Sequence, residues 1–94
     1  MGVAAGSSSA GSNAKMSPER DAELQRLAEA DAHIAEAERA VTEQMAQMEA
    51  LRLAGHDTAM AERELTAFQE TLAVLQDHRA TIVKAIEKID AGLT

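Results

Sequence analysis

Cysteine, tryptophan and tyrosine are absent from this 94-residue chain, which has one proline and one phenylalanine. Without cysteine there is neither a disulfide nor a thiolate to act as nucleophile or metal ligand. With Phe68 as the sole aromatic ring, no platform exists on which nucleic-acid bases could stack. Gly55 is the only glycine between residues 12 and 91, so a phosphate-cradling loop has nothing to build on. No apolar run approaches the ~20 residues that a membrane span requires. Cations are also in short supply: nine Lys and Arg face sixteen Asp and Glu, for a formal charge of -7. That balance argues against nucleic acid and against an anionic membrane surface as partners.

What remains is a chain rich in alanine, glutamate, glutamine, arginine and leucine, all good helix formers. Residues 1–16 are the exception. Their Gly, Ser and Ala content cannot offset the cost of ordering a backbone, so they read as a disordered arm or as a vector-derived leader ahead of a natural start at Met16. Ser17-Pro18 then reads as a helix start, with a hydroxyl to accept a free first-turn N–H and a proline that loses nothing at the first helical position. Gly55 is placed to end that helix, and Asp57 or Thr58 to cap the next. The expected organisation is a helix over 17–54, a turn over 55–57 and a helix over 58–91.

Both helices carry apolar residues at steps of three and four. On the first the stripe is Leu24, Leu27, Ile34, Val41, Met45, Met48 and Leu51, with Ala30 and Ala37 filling gaps. The second runs from Ala61 and Leu65 through Phe68, Leu72 and Leu75 to Ile82, Ile86, Ile89 and Leu93, interrupted only by Arg79. Such alternation is the pattern of coiled-coil-like packing. A connection this short makes the helices fold back antiparallel, so the fold class is all-α, a long two-helix hairpin. Counting equally from the turn pairs Met48 with Leu65, Met45 with Phe68 and Val41 with Leu72. Farther out it pairs Leu27 with Ile86 and Leu24 with Ile89.

A single seam is a thin core for so small a chain, which favours association. Ala28, Ala32, Ala35, Ala46 and Leu53 flank the first stripe, while Ala67, Val74 and Ala85, with His78, flank the second. Packing through these flanks would give a homodimer, an antiparallel four-helix bundle. Three charged groups fall at or beside the seam: Asp31, Glu38 and Arg79. Arg79 is expected opposite Ile34, within reach of either acid, where a guanidinium–carboxylate pair can fix register or serve a partner.

Little in the sequence points to chemistry. Serines are confined to positions 7–17, so the helices hold no Ser–His–Asp arrangement. His33, His56 and His78 lack the His-x-x-His or Glu-x-x-His spacing of metal-binding bundles. Neither a cofactor nor enzymatic activity is expected.

The stretch Gly55-His56-Asp57-Thr58, then Glu64-Leu65, Phe68, Glu70-Thr71-Leu72 and His78-Arg79, resembles a group of small uncharacterised helical-hairpin proteins of alphaproteobacteria. His33-Ile34-Ala35-Glu36-Ala37-Glu38 is similar as well. The resemblance spans about residues 24–83 and implies a bacterial intracellular, cytoplasmic protein with no established activity to carry over. The hairpin also invites comparison with the small helical substrates of specialised bacterial secretion systems, but their Trp-x-Gly turn is absent. The expected function is a non-enzymatic interaction or scaffold module that forms a homodimer and meets a protein partner still to be identified. The alternatives are a small adaptor docking through one helix, or a metal- or ligand-binding bundle. Asp31, His33, Glu38, His56, His78 and Arg79 are the candidate interaction or register residues.

Overall fold

The computed structural model describes residues 17–92. They form two helices, α1 (Pro18–Leu53) and α2 (Ala59–Asp90), packed against each other along their length. The arm expected over 1–16, and Leu93 at the end of the second stripe, lie outside the described residues.

Each helix end has a local cause. The Ser17 hydroxyl accepts the Arg20 N–H at 3.1 Å, and Pro18 opens the helix. Glu19 and Asp21 follow in the first turn, at the positive end of the helix dipole. At the other end Gly55 adopts φ +78°, a left-handed conformation that a β-carbon would strain. Its N–H donates to the Arg52 carbonyl at 3.1 Å, and the His56 N–H to the Leu51 carbonyl at 2.9 Å. These two bonds form a Schellman motif, which satisfies carbonyls left free at the helix end. For α2 it is Asp57 that supplies the cap, accepting the Ala59 N–H at 2.9 Å. The Thr58 hydroxyl instead donates to Glu62 at 2.7 Å.

The 36 residues of α1 span about 54 Å. Along this length the buried apolar residues are only Ala30, Ala61 and Ile82. Leu27, Ile34, Val41, Met48 and Leu51 of α1 are half-buried, as are Leu65, Leu72, Leu75, Ile86 and Ile89 of α2.

The seam of α1 departs from the expected stripe at one turn. Gln44, 7% exposed, occupies the inward position, and Met45 is turned out to 51% exposure. Leu24 likewise sits at the edge rather than inside. Gln44 is held from both sides: its amide donates to the Ala61 carbonyl at 3.1 Å and to Glu64 Oε1 at 2.9 Å. A buried amide costs stability unless it is bonded, and here both donor hydrogens are used.

The register also differs from equal counting. Phe68 lies beside Ala37 and Ala40 rather than Met45. Arg20 bonds Asp90, and Arg79 bonds Asp31, each pair equidistant from Gly55 and so about one helical turn from the pairing counted above.

Candidate functional site

The hairpin has two broad faces, and they differ. On one, two ion pairs cross between the helices. Arg20 Nε donates to Asp90 Oδ1 at 2.7 Å, near the open end. Arg79 Nε donates to Asp31 Oδ1 at 2.6 Å, near the middle. The Asp90 carboxylate, by its hydrogen bond first and its charge second, raises the Arg20 guanidinium above its usual value. Glu38, two turns along from Asp31, is exposed on this same face, and Arg79 does not reach it.

The Arg79–Asp31 pair is open to water, with side chains 43% and 52% exposed. It is therefore not the buried pair that would strand a charge when broken. Arg79→Ala is expected to stay within about 1 kcal/mol of the parent in denaturant unfolding. A loss of several kcal/mol would show that this pair carries the fold.

The opposite face holds a groove between the helices. Near its middle Phe68, Leu75, Ala37 and Ala40 form an apolar floor, with His33, Glu36 and Thr71 at the rims. Toward the open end the lining turns cationic. Arg26, Lys84 and Lys88 surround Ala22, Ala85 and Ile89, with Glu19 and Glu23 beside them. Arg26 already pairs with Glu23 at 3.0 Å, which leaves the two lysines facing the groove with Glu19.

Helical spacing assigns the remaining candidates. His78, seven residues from both Thr71 and Ala85, shares the groove face with His33, and both are exposed. His56 is exposed in the turn, where its backbone rather than its ring makes the structural contact. Among the described residues no group of three or more His, Asp or Glu is arranged to hold a metal ion.

The two alanine-bearing flanks fall on opposite faces. Ala85 lines the groove, and Val74 and Ala67 lie seven and fourteen residues before the groove residue Thr81, on the same row. Ala35 sits with Glu38, Arg39 and Thr42, away from the groove. One two-fold contact cannot cover both flanks.

Two features escaped the sequence reading. The Arg20–Asp90 clasp had a signal, an acid and a base at matching distances from Gly55. Gln44 had another, a seven-residue spacing from Ala37 and Leu51. No family model, curated protein or solved structure matches the chain. No helix among the described residues is long and apolar enough to cross a membrane.

Proposed function

We propose that this chain is a non-enzymatic protein–protein interaction or scaffold module whose first partner is a second copy of itself. Two hairpins form an antiparallel four-helix bundle, and its acidic exterior meets further protein partners. The observation that supports this reading is the distribution of apolar side chains. Among the described residues three are buried, while Met45, Leu53, Met60 and Val74 are more than half exposed. A hairpin offers each helix one neighbour, whereas a four-helix bundle offers two, and helices of this length bury a wider stripe when they have both. The acids support the exterior role, since α1 carries nine against four arginines.

A cytoplasmic setting belongs to the same proposal. Small extracellular domains with slight cores are stapled by disulfides, and this chain has no cysteine. Sedimentation equilibrium tests the assembly, with about 20 kDa expected for a pair of 10.0 kDa chains. A mass of one chain throughout the micromolar range would refute it.

A further inference from the structure

Resting on that reading, we infer that the groove face is the self-association surface, and that the two copies lie antiparallel across it. Three observations converge on this face rather than its opposite.

The first is the position of the exposed apolar groups of α2. Met60, Ala67, Val74, Thr81 and Lys88 repeat every seven residues along one edge of α2, and Thr81 and Lys88 line the groove. Met60 and Val74 on this row are each 66% exposed. Beside them the Phe68 floor opens at the middle of the hairpin. A two-fold axis through that floor brings the two apolar centres together.

The second is what this face lacks. Both ion pairs that tie α1 to α2 among the described residues lie on the other face, where they already use Arg20, Asp31, Arg79 and Asp90. Covering those pairs would desolvate four charged groups for little gain. At its centre the groove face would cover one carboxylate, Glu36, which sits at the rim.

The third is charge polarity. At the open end Arg26, Lys84 and Lys88 stand against Glu19 and Glu23. Along α1 an acidic row, Glu29, Glu36 and Glu43, continues toward the turn, where Glu64 of α2 joins it. Arg39 borders this row and Arg63 stands beside Ala67, but Glu36, Glu43, Glu62, Glu64 and Glu70 outnumber them and leave this end net negative. Antiparallel stacking sets each copy's lysine-bearing end over the partner's acidic end. Parallel stacking would set like over like, which costs affinity and selects against that arrangement.

Val74→Glu tests the face and a charge swap tests the orientation. Glutamate is a good helix former, so Val74→Glu spares the helix while burying an unpaired charge in the contact. Its dimer affinity is expected to fall at least about tenfold, while Ala35→Glu on the opposite face leaves affinity unchanged. The quadruple variant Lys84→Glu/Lys88→Glu/Glu36→Lys/Glu43→Lys, whose polarity is reversed, should still associate with itself, which a variant that merely fails to fold could not do, and should pair poorly with the native chain. A native dimer broken by Ala35→Glu but not by Val74→Glu would overturn the groove face and leave the dimer intact. A native dimer whose reversed-polarity variant prefers the native chain to itself would overturn the antiparallel arrangement. A monomeric native chain would remove both this inference and the reading beneath it.

Discussion

Replacing Ile82 by alanine is expected to remove about 2–5 kcal/mol of stability, the range seen when a large buried aliphatic leaves a cavity. Ile82 is 3% exposed and, among the described residues, is the only large aliphatic fully enclosed; the other buried apolar residues, Ala30 and Ala61, have only a methyl to lose. With so few enclosed groups, the loss of one is a large share of a small domain's total. The measurement is the urea midpoint at fixed chain concentration, because an associating chain's apparent stability depends on concentration. A loss within about 0.5 kcal/mol, typical of an exposed site, would show that the seam does not run through Ile82.

Gln44→Glu is expected to be as damaging at neutral pH and to recover in acid. The change keeps the shape but exchanges a bonded amide for a carboxylate in a buried position beside Glu64 and the Ala61 carbonyl. A buried charge without a compensating partner costs about 3–5 kcal/mol. Burial and the neighbouring acid both raise the pKa of the new carboxyl above the unfolded value of about 4.3. The folded state then holds the proton more tightly than the unfolded state. The deficit is therefore complete well above the raised pKa, shrinks as pH falls through it, and is gone below about pH 4. Thermal melts of variant and parent, compared at each pH, should converge at the acid end. A variant equal to its parent at pH 7 would mean that position 44 is solvated.

The same position explains what could and could not be read beforehand. Helix boundaries were legible because Ser17, Pro18 and Gly55 act within a few residues of themselves, and local chemistry is written locally. The antiparallel hairpin was legible because two long periodic segments joined by one short turn leave few alternatives. The finer packing was not, and the reason is Gln44. A search for apolar residues passes over a glutamine and selects Met45, one residue and about 100° further round the helix. That choice blurs the phase of the seam, and the phase decides which flank belongs to which face. Ala28 and Ala35 then look like companions of Ala67 and Val74, although the folded hairpin separates them. Arg79 was visible as an interruption. Its reaching Asp31 and not Glu38 follows from a register centred on Gly55, about one turn from the pairing counted about the middle of the turn.

The turn at Gly55 also sets an order of events. Contacts near it close short stretches of chain: Gln44 and Ala61 are 17 residues apart. Contacts at the far end close long ones, since Arg20 and Asp90 are 70 apart. Closing the longer loop in a single step costs about 1.2 kcal/mol more in chain entropy, at about 0.6 kcal/mol for each doubling of length. Zipping outward from Gly55 avoids that cost, because each new contact then adds only a few residues to a loop already closed. The amide clasp of Gln44 thus forms early, and the exposed Arg20–Asp90 clasp forms last and opens first. The lysine-bearing end is accordingly the last to close, held by half-buried Leu27, Ile86 and Ile89 and by one solvent-exposed ion pair until something else lies across it.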